Sequence, residues 1–234
     1  MKTISFIQVT ALIFVTFAGV LSQADDNSAL PSTSSIPIKL AFIGDSITAG
    51  FGTADHARSS YPSQLAQMLG DGWEVKNFGV SGTTLMHSGD VPYIHTASYQ
   101  QALAYKPDVL VIDLGANDSK PQNFEAHPDD FVPDYKAIIA DFQRINPNIK
   151  IYAAVPVPAY PENYGIRESV ITEKIIPAVQ QVVAETHIST IDLHTPMEDK
   201  GADFPDKVHP NEAGAKALAK IVYVALKADF PQTP

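Results

Sequence analysis

The sequence predicts an α/β fold: a three-layer α/β/α sandwich in which helices cover both faces of a central, parallel sheet of about five strands. Short apolar runs alternate along the chain with longer segments of helical periodicity, and this alternation is typical of such a sheet. The apolar runs are nearly continuous, as expected for strands that are buried on both faces. A chain of 234 residues with 45% hydrophobic and 18% charged residues is typical of one folded domain.

Five apolar runs have the length of strands rather than of helices. They are residues 38–43, 74–78, 109–114, 149–155 and 190–193. Because a helical segment separates most of these runs from the next, we expect the strands to lie parallel in one sheet.

Five further segments have the apolar spacing of amphipathic helices. They are residues 61–69, 99–105, 131–145, 168–187 and 211–228. Two other segments, 82–97 and 120–130, are polar and longer than most connections in α/β folds. We expect these two segments to form the rim of a binding site.

The N-terminal segment has the pattern of a secretory signal. Met1 and Lys2 precede an apolar stretch that ends in Ser22-Gln23-Ala24, which predicts a signal peptide over 1–24, removed on export. An uncleaved membrane anchor is the alternative, but polar residues dilute the apolar stretch. We expect a flexible leader at 25–37, a folded domain at 38–234, and a secreted protein, periplasmic or extracellular, without stable membrane association.

Composition excludes several classes of function. The formal net charge is −10 and Lys and Arg form no run, so we expect no nucleic-acid partner. Cysteine is absent, so the chain has no disulfide, no thiolate nucleophile and no Cys-ligated zinc. The histidines lack a familiar metal-binding spacing, and neither a P-loop nor a dinucleotide-binding glycine motif is present. We expect neither a metal nor a cofactor.

Four polar segments follow predicted strands or precede the last helix. They are residues 44–50, 77–82, 115–118 and 206–210. Ligands of open α/β sheets bind at the carboxyl ends of the strands, so these segments can meet at one crevice.

In this order, the four segments resemble the conserved blocks of the SGNH hydrolases, also called GDSL-like esterases. Gly-Asp-Ser at 44–46, Gly79, Gly-Ala-Asn-Asp at 115–118 and Asp-Lys-Val-His at 206–209 carry the resemblance, which covers nearly the whole predicted mature chain. The resemblance implies a flavodoxin-like sandwich and a serine hydrolase. It implies Ser46 as nucleophile, His209 as base, Asp206 as the acid that orients it, and an oxyanion hole from Ser46, Gly79 and Asn117.

The chemistry agrees with these roles. A serine hydroxyl needs a neighbouring base, and His209 is preceded three residues earlier by Asp206, a spacing at which a turn can hold the imidazole in the correct tautomer. The backbone N–H groups of Ser46 and Gly79 and the side-chain amide of Asn117 would stabilise the oxyanion formed on ester attack. For Asp45 and Asp118 we predict a structural role in holding loops.

The segments 73–84 and 208–214 resemble those of bacterial secreted carbohydrate esterases, including sialate-type O-acetylesterases. This resemblance implies hydrolysis of acetyl esters on sugars through an acyl-enzyme. Polar and aromatic residues of the expected rim favour a polar substrate, a small molecule or a glycan: Tyr93, Tyr99, Asn123, Tyr160, Asn163 and Tyr164. A lysophospholipase or thioesterase, an acyltransferase and a catalytically silent carbohydrate-binding protein stay open as alternatives, and the oligomeric state is not predicted.

Overall fold

The computed structural model describes residue 1, residues 36–161 and residues 163–231. The predicted signal peptide beyond Met1 and the leader as far as residue 35 lie outside these residues. None of the helices in the described ranges is long and apolar enough to cross a membrane.

Among the described residues, five parallel strands form one sheet in the order β2-β1-β3-β4-β5. They are β1 (Ile38–Gly44), β2 (Trp73–Asn77), β3 (Val109–Asp113), β4 (Lys150–Val155) and β5 (Ser189–Asp192). Each of the five coincides with a predicted apolar run to within one residue or two, so the predicted parallel sheet is confirmed.

In the described part of the chain, eight α-helical segments connect or follow these strands. They are α1 (Ser46–Ala49), α2 (His56–Ser59), α3 (Tyr61–Leu69), α4 (Ala97–Tyr105), α5 (Phe131–Ile145), α6 (Glu168–Val170), α7 (Ile176–Thr186) and α8 (Glu212–Asp229). A π-helical turn, Ile171–Ile175, joins α6 to α7, so the predicted helix over 168–187 is one helical segment with a wider turn inside it. The short helices α1 and α2 were not predicted, because four residues carry no periodicity.

Alternate strand residues pack into two separate cores, one on each face of the sheet. Ala41 and Ile43 of β1 belong to the core beneath α4, α5 and α7. Leu40 and Phe42 belong to the core on the other face, with α3 and α8. Because successive strand side chains point to opposite faces, each strand contributes to both cores. This arrangement is the predicted three-layer α/β/α sandwich.

The strand order places a switch point between β1 and β3. From β1 the chain first passes to β2 at one edge and then returns across β1 to β3. At such a point the loops after the two strands diverge and leave a crevice at their carboxyl ends. The segment after β1 begins with Asp45 and Ser46, and the segment after β3 contains Asn117. Two predicted site residues therefore flank the crevice.

Candidate active site

Ser46 is the first residue of α1, directly beyond the end of β1. The side chain of Asp45 caps this helix by accepting a hydrogen bond from the backbone N–H of Ile47 at 2.9 Å. Residue 44 must be glycine for the turn to be this tight, since a Cβ there would lie 2.7 Å from the backbone oxygen of Asp113. Ser46 is 7% exposed, and its Oγ lies 2.9 Å from Nε2 of His209.

His209 and Asp206 occupy the loop that leads into α8. Oδ2 of Asp206 lies 2.7 Å from Nδ1 of His209, and Oδ1 accepts the backbone N–H groups of His209 at 2.7 Å and of Val208 at 3.1 Å. The imidazole is therefore held at Nδ1 and faces Ser46 with Nε2. The structure brings together the three predicted residues of the triad in the order that proton transfer requires.

Asp206 is held in its charged form. Burial by itself would raise the pKa of this carboxyl, but hydrogen bonds from the backbone and side chain of His209 and from the backbone of Val208 outweigh it and lower the pKa below its ordinary value. A carboxylate at this place can stabilise a positive charge on the imidazole of His209.

Asn117 lies at the crevice, and two acceptors orient its side chain. Its Nδ2 donates to Oδ2 of Asp45 at 3.3 Å and to the backbone oxygen of Thr83 at 3.1 Å. Asn117 is 3% exposed and lines the same cavity as Ser46. The amide side chain predicted as an oxyanion donor therefore lies at the same cavity as Ser46.

Gly79 does not line the cavity at Ser46, where it was predicted to form part of the oxyanion hole. Its backbone N–H donates to Oδ1 of Asn77 at 2.9 Å, and an added Cβ would meet the backbone of α1 at Thr48 and Ala49. Gly79 lies in a different depression from Ser46. The N–H of Gly79 is thus engaged, and Gly79 packs against α1 rather than lining the cavity.

Gly82 takes the position that Gly79 was expected to occupy. It lines the cavity together with Ser46 and Asn117, and its φ of 82° lies in the left-handed region that favours glycine. Within the described ranges, neither the backbone N–H of Gly82 nor that of Ser46 has a hydrogen-bond acceptor. Ser46, Gly82 and Asn117 all line this one cavity.

Two buried carboxylates hold the loops of the site. Asp45 connects α1 to Asn117 as described, and Asp118 accepts the backbone N–H groups of Leu85 and Met86 at 2.9 and 2.8 Å. Burial raises the pKa of Asp118 to about 6, against the lowering effect of these hydrogen bonds. Burial and the nearby Asp113 raise the pKa of Asp45. These contacts agree with the structural roles predicted for Asp45 and Asp118.

The cavity at Ser46 has a volume of about 200 Å³. Its lining residues lie in the four polar segments, within two residues of their ends, or in the loop after β4: Ser46, Phe51, Ser81, Gly82, Asn117, Lys120, Tyr164, Ile166 and His209. Phe51, Ser81 and Ile166 were not predicted at the site, whereas Gly82 and Lys120 begin the two segments, 82–97 and 120–130, that were expected to form its rim. Phe51 follows the motif at 44–50 directly, and this was the signal available for it.

Only part of the expected rim lies at the cavity. Of the six residues that were expected there, Tyr164 lines it, whereas Tyr93, Tyr99 and Asn123 are buried in the fold. Asn123 instead donates to the backbone oxygen of Asn117 at 2.9 Å, so it supports the site from behind. In the described part of the chain, no group of His, Cys, Asp and Glu side chains could hold a metal ion.

Two curated proteins are similar in sequence to most of this chain. An acetylxylan esterase of Xylanibacter ruminicola is 39% identical over 220 residues, which are 85% of this chain and 45% of that protein. The cellulase/esterase CelE of Acetivibrio thermocellus is 23% identical over 81% of this chain and 25% of its own length. The chain thus spans less than half of either relative.

A solved structure of an acetyl xylan esterase, AlAXEase, superposes with a TM-score of 0.63 at 22% identity, over 81% of this chain and all of that chain. At this identity the likeness shows the fold. The model of the GDSL-like lipase/acylhydrolase family matches residues 42–217, which include Ser46, Asn117, Asp206 and His209. The chain therefore belongs to the GDSL-like lipase/acylhydrolase family, as its sequence motifs predict.

Proposed function

We propose that this protein is a serine esterase that hydrolyses acetyl esters on carbohydrates through an acyl-enzyme. The observation that carries the proposal is the continuous chain of short contacts from Ser46 Oγ to His209 Nε2, at 2.9 Å, and from His209 Nδ1 to Asp206 Oδ2, at 2.7 Å. This chain ends at a cavity lined by groups that can bind an oxyanion. A binding module would need no such arrangement.

In the proposed reaction, Ser46 Oγ attacks the ester carbonyl carbon while its proton passes to Nε2 of His209. Nε2 then gives this proton to the leaving alcohol oxygen, the C–O bond breaks, and the acetyl group remains on Ser46. Water attacks the acyl-enzyme next, with His209 again as the base. Acetate leaves and Ser46 recovers its proton. Asp206 stabilises the positive imidazolium in both steps.

We assign the oxyanion hole to the backbone N–H groups of Ser46 and Gly82 and to Nδ2 of Asn117. The two backbone groups have no acceptor among the described residues, so they are free to bind the carbonyl oxygen as it becomes negative. Nδ2 of Asn117 shares one of its hydrogens with the oxyanion, while Asp45 and Thr83 keep the amide in place. Donors fixed in advance in this way favour the transition state over the bound ester.

Two observations support an acetyl ester of a sugar as the substrate. The cavity of about 200 Å³ is small for a ligand site, so a short acyl group fits it better than a fatty acyl chain. The relative with 39% identity is named an acetylxylan esterase. The sequence pattern of 1–24 supports export as part of the proposal, and the N-terminus of the exported protein, expected at Asp25, tests it by mass spectrometry.

The hydrolysis of p-nitrophenyl acetate, butyrate and octanoate by the wild type and Ser46→Ala tests the proposal. We expect the acetate to be preferred and Ser46→Ala to lose ~10⁴-fold or more in kcat. Ser169→Ala is a matched control, because Ser169 is exposed on α6 and its hydroxyl makes no hydrogen bond with the described residues. Preference for octanoate would favour the lipid or thioester alternative, and an active Ser46→Ala would contradict the mechanism.

A further inference from the structure

The proposed mechanism assigns the two parts of the ester to different sides of the cavity. Nε2 of His209 must reach the leaving oxygen in the proposed reaction, so the alcohol part of the ester lies beside the imidazole. The carbonyl oxygen points the other way, toward Gly82 and Asn117. Whatever flanks His209 therefore contacts the alcohol part of the substrate.

Two aromatic rings flank His209. The centroid of Phe51 lies 4.5 Å from that of the imidazole, and the centroid of Tyr164 lies 5.4 Å from it. Both rings line the cavity. Phe51 is 41% exposed and Tyr164 is 55% exposed, and over the described ranges no other aromatic side chain is this accessible. In the described ranges, the two most exposed Phe, Tyr or Trp side chains thus lie on the alcohol side of the active site.

Tyr164 is held in place by a strained turn. Its φ of 55° and that of Gly165, 76°, put both residues in the left-handed region, where a bulky residue persists only if its surroundings impose it. Oδ1 of Asn163 accepts the backbone N–H of Tyr164 at 2.9 Å, and Nδ2 of Asn163 donates to the backbone oxygen of Asp206 at 2.7 Å. The turn is thereby fixed to the loop that carries the catalytic acid.

We propose that Phe51 and Tyr164 form the subsite for the alcohol part of the substrate, and that this part is a pyranose ring. The inference rests on the proposed function. A pyranose presents a flat face of C–H groups that packs on an aromatic ring, while its hydroxyls remain at the hydrated rim. The glycerol of a lysolipid has no such face. Phe51 and Tyr164 thus determine specificity for the alcohol part. The oxyanion donors bind the carbonyl oxygen, which is common to all acetyl esters.

The test compares kcat/KM for acetylated xylo-oligosaccharides with kcat/KM for ethyl acetate, whose alcohol has no ring. Truncation of a packed aromatic contact at a binding site commonly costs about tenfold or more in affinity, so the ratio of the two values should fall by about this factor in Phe51→Ala and in Tyr164→Ala. Tyr164→Phe keeps the ring and should keep most of the ratio. Val224→Ala, an exposed apolar residue of α8, is the control.

Inhibition by the deacetylated oligosaccharide gives a second measurement that does not depend on turnover of the sugar ester. Its inhibition constant should rise in Phe51→Ala and Tyr164→Ala and stay at the wild-type value in Val224→Ala. An unchanged ratio and an unchanged inhibition constant in both aromatic variants would overturn the inference, while hydrolysis that depends on Ser46 would leave the proposed function standing. Hydrolysis that persists in Ser46→Ala would overturn both.

Discussion

Gly52→Ala is expected to reduce turnover by moving His209. Gly52 has a φ of 96°, and a Cβ at this position would lie 2.6 Å from the backbone oxygen of Pro210 and 2.9 Å from Cβ of His209. Carbon atoms in contact prefer a separation of roughly 3.5 Å, so the loop that carries His209 must recede by roughly half an ångström or more. The Ser46–His209 contact of 2.9 Å lengthens accordingly. Because a misplacement of 1 Å can cost about 100-fold in rate, we expect kcat to fall by ~10- to 100-fold.

Gly70→Ala separates this effect from backbone strain. Gly70 has a φ of 72°, and a Cβ there would meet no atom within 4 Å. Both variants put an alanine at a positive φ, at a cost of roughly 1–3 kcal/mol, but only Gly52→Ala crowds His209. The assay is kcat on p-nitrophenyl acetate together with thermal unfolding of each variant. If Gly52→Ala kept the kcat of Gly70→Ala, the steric reasoning would be refuted.

Three further predictions concern the acids and the amide of the site. Asp206→Asn should lower kcat/KM by ~10³- to 10⁴-fold. An amide N–H that faces Nδ1 forces the proton of His209 onto Nε2, and Nε2 then cannot accept a proton from the serine. Asp203→Asn in the same loop is the control for this assay. Asn117→Ala should lower kcat by ~100- to 1000-fold with a much smaller change in KM, and a loss confined to KM would contradict its role. Asp118 has a pKa of about 6, so between about pH 4 and pH 6 the folded protein keeps a proton that the unfolded chain has lost, and stability falls as pH rises. Over this pH range, the free energy of unfolding in urea should decrease by up to ~3 kcal/mol less in Asp118→Asn than in the wild type. An equal decrease in both proteins would show that the pKa of Asp118 is ordinary.

The sheet could be predicted from the sequence because its strands are buried on both faces. Each strand is then an apolar run with polar or turn-forming neighbours, and its ends are visible in the sequence. The helices with a full apolar stripe, such as α5 and α8, were likewise predictable. The helices α1 and α2 were not, because capping by Asp45 and Asp55 determines them and neither is long enough to show a period.

The glycine proposed for the oxyanion hole shows why motif positions alone do not determine a site. The segment 77–82 contains two glycines, and either N–H could face a nucleophile after β2. Asn77 decides between them, because its side chain accepts the N–H two residues ahead and so engages Gly79 in an Asx turn. Gly82 is then the glycine whose N–H remains free. In the sequence, an Asn two residues before Gly79 was the available sign that the N–H of Gly79 is engaged. Only the fold shows that Gly82 lines the cavity.

The site consists of two parts that meet at one hydrogen bond. Ser46 and Asn117 are fixed to neighbouring strands and tied to each other through Asp45, whereas Asp206 and His209 form a separate loop with its own hydrogen bonds. Their alignment depends on contacts between the parts, such as the packing of Phe51 and Gly52 on His209. Phe51 is 41% exposed, so changing these contacts should cost little stability but much of kcat. Core substitutions should do the reverse, because they weaken the whole sheet before they move the two parts relative to each other.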